Sequence, residues 1–275
     1  MIRPAGARLM TMGGRASGPQ PLIDLMKFTR GKMFNAQGRQ LTALELHDII
    51  CQIGLIVVAG GVRRSALISL SELHDKELRD AKSGEFWNEN GQRSMANNSA
   101  VYAEKPSVEE FGEEWAALVA SGTGERGIFN RGSLENQVPA RRWEKLKNQN
   151  QVGVNPCGEI YLRSKQFCNL TSIVVRPDDD MESLKRKMRL ATILGTYQAT
   201  LTDFGYLGED WKKNCEEEQL LGVSITGYFD NELVRNDDTL AELREESIKA
   251  NEEYSSRFGS NRSTAITCVK PHGNS

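Results

Sequence analysis

Short apolar segments alternate with amphipathic helical segments along the 275-residue chain, and this alternation limits the possible folds more than any other feature. Strands that alternate with helices are typical of α/β proteins with a largely parallel sheet. The sequence therefore predicts an α/β architecture. The candidate strands lie in AGGVRRSALISL, RGIFNR, SIVVRP, LLGVSITGYF and TAITCVKPHGNS.

Capping signals mark the starts of two helices. Thr42 with Glu45, and Ser107 with Glu110, have the spacing of a capping box, in which each side chain bonds the backbone amide of the other residue. Apolar residues then recur at helical spacing, which indicates a face packed into a core. Further helices are predicted after residue 21, from 181 to about 202, and from residue 238, whereas residues 1–18 are predicted to form a loop.

Composition argues against several classes of function. The formal net charge is −2 and like-charge runs are short, so no basic surface for nucleic acid is predicted. No apolar stretch reaches transmembrane length, and the N-terminus does not resemble a signal peptide. Five cysteines, an odd number, favour a reducing compartment, where a disulfide is more often catalytic than structural. We expect a cytoplasmic protein without a membrane partner.

Two cysteines, Cys157 and Cys168, lie eleven positions apart in NPCGEIYLRSKQFCNLT. Zinc ligands usually come as close pairs such as C-x-x-C, which this chain lacks, so no metal site is predicted. The other cysteines are interpreted as ordinary packed residues, because a free cysteine behaves as a small hydrophobic side chain. These are Cys51, Cys215 and Cys268.

The surroundings of Cys157 differ from those of a core residue. Pro156 restricts the residue before it to extended geometry, and Gly158 permits a tight bend just after the sulfur. Asn155 and Glu159 flank the cysteine symmetrically, so in an extended segment the three side chains could share one face. The carboxylate could then act as a general base and the amide could orient hydroxyl groups. We interpret this group as a reaction centre.

NPCGEI, followed by a second cysteine in FCNLTS, resembles the catalytic segment of ribonucleotide reductase large chains. The eleven-residue spacing is similar to that of the adenosylcobalamin-dependent (class II) enzymes, whereas class I enzymes usually space these cysteines more widely. Other segments resemble parts of the same family in the same order, so the resemblance covers essentially the whole chain. They are RPAGARLMTMGGRASGPQPL, VVAGGVRRSA, SMANNSA, LLGVSITG and TCVKPHGNS.

The resemblance implies a partial ten-stranded α/β barrel with a catalytic finger loop, of which residues 1–275 form the central part. By resemblance, Cys157 becomes a thiyl radical that removes the 3′ hydrogen of a ribonucleotide. Glu159 matches the carboxylate that deprotonates the 3′ hydroxyl, and Asn155 matches the amide that holds the ribose hydroxyls. Cys168 matches one member of the redox pair that ends as a disulfide. The family's partner for it is expected upstream of this chain, so we expect no turnover from the chain alone.

The resemblance also implies ligands and partners. These are adenosylcobalamin, a ribonucleoside di- or triphosphate substrate, a deoxynucleotide effector and a thioredoxin-like reductant. Residues 273–275 match the loop that binds substrate phosphates, 97–99 match a pocket segment, and 3–8 match the effector loop. The candidate substrate residues are Asn97, Asn98, Ser99, Gly273, Asn274 and Ser275, and the candidate effector residues are Arg3, Gly6 and Arg8.

Three alternatives remain open from the sequence. A class I large subunit would receive its radical from a separate subunit, and only the cysteine spacing argues against it. A thiyl-radical enzyme of the formate-lyase type would lack the second cysteine as a reductant. A truncated barrel that binds nucleotides without catalysis would fit the missing redox partner and the phosphate loop that ends at Ser275.

Overall fold

The computed structural model of the chain describes residues 2–10, 13–59, 62–63, 65–149 and 151–272. The chain divides into two compact units, Met1–Gly132 and Ser133–Ser275. The first unit contains five α-helices and five strands among its described residues. They are α1 (Gln20–Asn35), α2 (Ala43–Ile56), α3 (Lys76–Arg79), α4 (Trp87–Asn90), α5 (Val108–Ser121), β1 (Val58–Ala59), β2 (Val62–Arg63), β3 (Leu67–Glu72), β4 (Ala96–Tyr102) and β5 (Gly127–Asn130).

Strand β4 is the centre of a parallel three-stranded sheet in the order β3-β4-β5. Both predicted capping boxes are present, at Thr42 in front of α2 and at Ser107 in front of α5. Helix α2 packs Cys51 against Met95 and Ala96 in a small apolar core. The core position predicted for Cys51 is therefore confirmed.

The second unit also contains a parallel sheet, which carries its main core. Its described elements are α6 (Leu134–Gln137), α7 (Ala140–Leu146), α8 (Met181–Ala199), α9 (Glu209–Glu218), α10 (Asp237–Phe258), β6 (Gly153–Val154), β7 (Tyr161–Leu162), β8 (Asn169–Val174) and β9 (Leu221–Thr226).

Strands β8 and β9 pair in parallel, and helices α8 and α10 pack with them around a continuous apolar core. On the other edge of β9, Thr267 forms a parallel bridge to Val223. The parallel pairing in both units confirms the α/β prediction. Side chains at most 1% exposed in this core are Val175, Leu184, Leu221, Val223, Val234 and Leu243.

Some predicted elements differ from those of the structure. Helix α8 ends at Ala199 instead of about 202, and α10 begins at Asp237 because Asn236 caps it by accepting the amide of Asp238. The segment 264–272 does not form the predicted strand. It forms only the bridge at Thr267, where the Cys268 amide donates to the Val223 carbonyl. The next amide on this edge, that of Lys270, donates to the Ser224 side chain instead of a backbone carbonyl, so the ladder does not continue.

Candidate active site

A short antiparallel hairpin, β6 paired with β7, carries the Cys157 segment at its tip. Asn155 closes this finger loop (residues 155–160) by three hydrogen bonds. Its amide donates to the Ile160 carbonyl (3.0 Å), its side-chain Oδ1 accepts the Ile160 amide (2.9 Å), and its carbonyl accepts the Gly158 amide (2.9 Å). The finger loop is therefore a closed turn with a defined conformation, as required of a catalytic loop.

The turn corrects the expectation that an extended segment aligns Asn155, Cys157 and Glu159 on one face. Asn155 is only 8% exposed, and its Oδ1 is used to close the loop. Gly158 has φ +88°, in the left-handed region that favours glycine, and a Cβ there would meet no atom within 4 Å. The bend leaves Cys157 exposed at the tip and sends Glu159 inward.

The carboxylate of Glu159 is buried, with a side chain only 1% exposed. Its Oε1 accepts a hydrogen bond from the ammonium of Lys270 at 3.1 Å. Its Oε2 has no hydrogen-bond partner among the described residues. A buried carboxylate oxygen without a donor costs free energy, so Oε2 is available to accept a hydrogen bond from a hydroxyl or an amide.

Lys270 approaches the sulfur as well as the carboxylate. Its Nζ lies 3.7 Å from the Cys157 Sγ. Burial alone would lower the pKa of Lys270, but the hydrogen bond to Glu159 and the charges of Glu159 and Cys157 outweigh burial and raise it. The side chain is therefore a cation at neutral pH, placed between the two central groups of the finger loop.

Cys168 and Cys268 lie near the same carboxylate. Burial, and secondly the charge of Glu159, raise the pKa of the Cys168 thiol to about 11. Burial, the charge of Glu159 and then that of Cys168 raise the pKa of Cys268 to about 12. The structure thus brings the predicted residues Cys157, Glu159 and Cys168 together, and both half-buried cysteines are protonated thiols at neutral pH.

A buried ionic cluster connects the β6–β7 hairpin to helices α7 and α9. Arg142 of α7 donates to the Tyr161 carbonyl of β7 and pairs with Glu218 (Nε–Oε2 3.1 Å), whose side chain is completely buried. Gln166 and Thr264 also donate to the Glu218 carboxylate, at 2.8 and 2.9 Å. Because these contacts join α7, β7 and the end of α9, they fix the base of the finger loop.

The predicted pocket residues Asn97, Asn98 and Ser99 lie on β4, in the first unit. Asn98 is buried, its side chain contacts His47 (Oδ1–Nε2 3.3 Å), and its amide donates to Glu125 (2.8 Å). Asn97 is exposed and Ser99 half-buried, on the opposite face of the strand. Asn98 is therefore held by internal contacts, and Asn97 and Ser99 are the two that face outward.

The predicted effector residues lie in a surface loop of the first unit. Arg3 and Arg8 are exposed, and Gly6 has φ +83°. Arg15 donates to the Gly6 carbonyl at 2.9 Å, which ties the two sides of the loop together. The predicted phosphate-loop residues Gly273, Asn274 and Ser275 lie outside the described residues.

Sequence reasoning missed two members of the site. Cys268 was interpreted as an ordinary packed residue and Lys270 was not singled out. The signal in the sequence was the phosphate-loop motif KPHGNS, which begins at Lys270 and follows two residues after Cys268. No helix among the described residues is both long and apolar enough to cross a membrane.

No protein-family model matches the chain. Several curated proteins do match most of it, and they share one name. The adenosylcobalamin-dependent ribonucleoside-triphosphate reductase of Lacticaseibacillus paracasei is 33% identical over 240 residues, which is 83% of this chain and 30% of that protein. The Lactobacillus leichmannii and Euglena gracilis enzymes of the same description are each 28% identical over 99% of this chain, and 40% and 37% of their lengths are covered. The chain thus spans well under half the length of these relatives.

Solved structures give the same fold. A crystal structure of a B12-dependent (class II) ribonucleotide reductase matches 99% of this chain and 41% of that one, with a TM-score of 0.70 and 24% identity. The class Id ribonucleotide reductase α subunit of Actinobacillus ureae matches 92% of this chain and 56% of that one, with a TM-score of 0.57 and 13% identity. The chain therefore has the ribonucleotide reductase fold and is a relative of part of the adenosylcobalamin-dependent, class II enzymes.

Proposed function

We propose that this chain provides the catalytic finger loop of an adenosylcobalamin-dependent ribonucleotide reductase, which converts ribonucleotides to 2′-deoxyribonucleotides for DNA synthesis. The single observation that carries the proposal is the arrangement at the loop tip. An exposed thiol, Cys157, stands beside the buried carboxylate of Glu159, one oxygen of which has no partner among the described residues. The similarity to the curated reductases supports it.

In this proposal Cys157, as a thiyl radical, takes the hydrogen atom from the 3′ carbon of the ribose and returns it at the end of the turnover, which restores the thiyl radical. The free Oε2 of Glu159 accepts the proton of the 3′ hydroxyl, and the 2′ hydroxyl leaves as water. The Oδ1 of Asn155 closes the finger loop, so its amide nitrogen is the group that remains to donate to a ribose hydroxyl. A base at this position lowers the barrier because proton removal accompanies loss of the 2′ oxygen.

Two electrons and two protons are needed to replace the 2′ hydroxyl by hydrogen. Two thiols supply them and become a disulfide, and Cys168 is one of the two. Its high pKa keeps it as the S–H form that must deliver hydrogen. The second thiol and the remaining length of the relatives belong to the complete enzyme, so the 275-residue chain by itself is expected to show no turnover.

Adenosylcobalamin, when bound, supplies the radical chemistry that converts the Cys157 thiol to the thiyl form. The exposure of Cys157 at the tip of the loop fits this role, because a cofactor must be able to reach the sulfur from outside.

The remaining partners follow from the same proposal. A ribonucleoside triphosphate is the proposed substrate, as in the names of the curated relatives. Asn97, Ser99 and residues 273–275 are proposed to contact it, with Arg3, Gly6 and Arg8 near a deoxynucleotide effector. A thioredoxin-like protein is the proposed reductant, and the cytoplasm the proposed location.

The test is an assay of deoxyribonucleotide formation by the complete enzyme. Ribonucleoside triphosphate and a dithiol reductant are supplied with or without adenosylcobalamin. We expect product only when the cofactor is present. Product that forms without cobalamin, in the presence of a separate radical subunit, would instead identify a class I enzyme. No product under either condition would favour a nucleotide-binding protein without catalysis.

A further inference from the structure

Lys270 is held in place by the sheet from which it extends. Its backbone amide donates to the Ser224 hydroxyl at 3.0 Å, and the Cys268 amide donates to the Val223 carbonyl at 3.0 Å. Both acceptors belong to β9, which pairs with β8 on its other edge. The lysine therefore starts from a fixed backbone position, although it lies outside any described helix or strand.

From this position the ammonium contacts both proposed catalytic groups. It donates to Glu159 Oε1 at 3.1 Å and lies 3.7 Å from Cys157 Sγ, and its own side chain is 25% exposed. A lysine ammonium has three donors. It can hold one carboxylate oxygen and still face the sulfur or a ligand.

The two oxygens of Glu159 are therefore not equivalent. Oε1 is bound to Lys270, whereas Oε2 has no partner among the described residues. An ion pair with one defined oxygen fixes the rotation of the carboxylate group, because free rotation would break the hydrogen bond. A base held in one orientation contributes to the reaction rate, because no free energy is spent on orienting it during the reaction.

We propose that Lys270 is a positioning residue of the reductase: it binds Oε1 of Glu159, so that Oε2 is the oxygen that accepts the proton from the ribose hydroxyl. This inference rests on the function proposed above for Glu159 and Cys157. Lys270 also ties the segment in front of the candidate phosphate loop to the tip of the finger loop. The titratable groups around it are Cys157, Glu159, Cys168 and Cys268.

The first test does not need turnover. Cys157 of the 275-residue chain is alkylated with neutral iodoacetamide and with anionic iodoacetate, and the rates are followed by peptide mass spectrometry. A cation 3.7 Å from the sulfur favours the anion. We expect Lys270→Met to lower the iodoacetate-to-iodoacetamide rate ratio about three- to tenfold. Lys270→Arg should keep the ratio, and Lys212→Met, on the surface of α9, is the matched control.

Coupling between Lys270 and Glu159 is measured by a double-mutant cycle with the same ratio. Glu159→Gln removes the counter-charge of the ammonium, so the ratio should rise. Glu159→Gln combined with Lys270→Met should lower it again, to a value at or above that of Lys270→Met alone, because the single variant keeps a carboxylate that repels iodoacetate. An unchanged ratio in Lys270→Met, or equal effects of Lys270→Met with and without Glu159, would overturn the proposal. Lys270→Arg shows whether a loss in Lys270→Met reflects charge or misfolding.

The second test uses the complete enzyme with adenosylcobalamin. Lys270→Met should lower kcat about tenfold or more and leave KM nearly unchanged, and Lys270→Arg should restore part of kcat. A change in KM alone would place Lys270 in substrate binding and overturn the positioning role. If the wild-type enzyme gives no deoxyribonucleotide, the proposed function fails, whereas the alkylation ratios still decide the contact between Lys270, Glu159 and Cys157.

Discussion

At the residue scale, Cys157 and Glu159 have opposite environments although a single residue separates them. The sulfur is exposed and the carboxylate is 1% exposed. The left-handed turn at Gly158 produces this separation. In the proposed reaction this separation leaves the sulfur accessible to a radical source. It also shields the base from bulk water, and electrostatic interactions are stronger in such a shielded site than in water.

The cysteines should be alkylated at different rates, and at different pH values. The thiolate is the reactive form, so at pH 7 a thiol with a pKa of about 11, such as Cys168, is ionised in about one molecule in 10,000. We expect iodoacetamide to modify exposed Cys157 first and to modify Cys168 and Cys268 only as the pH rises toward 11 and 12. Peptide mapping after timed alkylation measures this order.

Cys51 is the matched control for that experiment. Burial also raises its pKa to about 11, but the residue is 1% exposed and should stay unmodified in the folded chain. Modification of Cys168 as fast as Cys157 at pH 7 would contradict the described burial.

The residues of the finger loop could be predicted because they form one contiguous motif. Asn155, Cys157 and Glu159 stand together in the chain, and Cys168 follows in the same segment. Lys270 could not be predicted in the same way, since its contact with Glu159 spans 111 positions. Only the pairing of β9 with the segment after Ile266 brings the two together.

At the scale of elements, Gly222 of β9 lies where side chains from three segments leave no space for a side chain of its own. A Cβ at this position would lie 2.5 Å from Leu170 Cδ2, 3.0 Å from Ile160 Cδ1 and 3.1 Å from Cys268 Sγ. These three side chains belong to β8, to the end of the finger loop and to the segment that carries Lys270. The absence of a side chain at residue 222 thus allows three parts of the site to converge.

We therefore expect Gly222→Ala to destabilise the chain by about 1–3 kcal/mol through overpacking. The alkylation rate of Cys268 should change as well, because its sulfur must move. Chemical unfolding in urea measures the first effect. Gly112→Ala is the control: this glycine lies within α5 with no atom near a Cβ, so alanine there should stabilise by about 0.5–1 kcal/mol. Equal stability of the two variants would refute the packing argument.

Elements with strong local signals could be predicted from the sequence, and those made by tertiary contacts could not. The capping boxes at Thr42 and Ser107 use residues three positions apart. The β6–β7 hairpin has only two residues in each strand, too few for a periodic pattern. It depends on Arg142, which bonds the Tyr161 carbonyl from α7.

At the scale of the whole molecule, each unit contains a buried carboxylate that several elements share. In the first unit Asp48, with a side chain 1% exposed, pairs with Lys32 at 2.6 Å and Arg93 at 2.6 Å. In the second unit the buried carboxylate is that of Glu218, which pairs with Arg142 and Arg163. Removing one partner from a buried ion pair leaves the other charges uncompensated.

Asp48→Asn should destabilise the chain by roughly 3–5 kcal/mol at pH 7. Burial alone would raise the pKa of Asp48, but hydrogen bonds and charges from Arg93 and Lys32 lower it below its ordinary value of 3.8. Its stabilising effect is therefore complete above that value and is lost as the pH falls through the lower, folded-state pKa.

Unfolding measured from pH 7 down to pH 2 tests this expectation. The difference between wild type and Asp48→Asn should be large at neutral pH and should shrink in acid. Exposed Asp210, paired with Lys165 on the surface, is the control, since Asp210→Asn should leave the stability nearly unchanged. A difference that does not vary with pH would show that the charge of Asp48 is not the cause.

If the sulfur of Cys157 carries the radical, its replacement must abolish deoxyribonucleotide formation. Deoxyribonucleotide formation is measured in the complete enzyme with adenosylcobalamin for wild type, Cys157→Ser and Cys215→Ser. Serine at 215 can still accept the Phe167 amide that Cys215 accepts, so this control should retain activity. We predict that Cys157→Ser forms no detectable product because a hydroxyl cannot replace the thiol as a radical carrier. Substantial product from Cys157→Ser would show that another group removes the 3′ hydrogen.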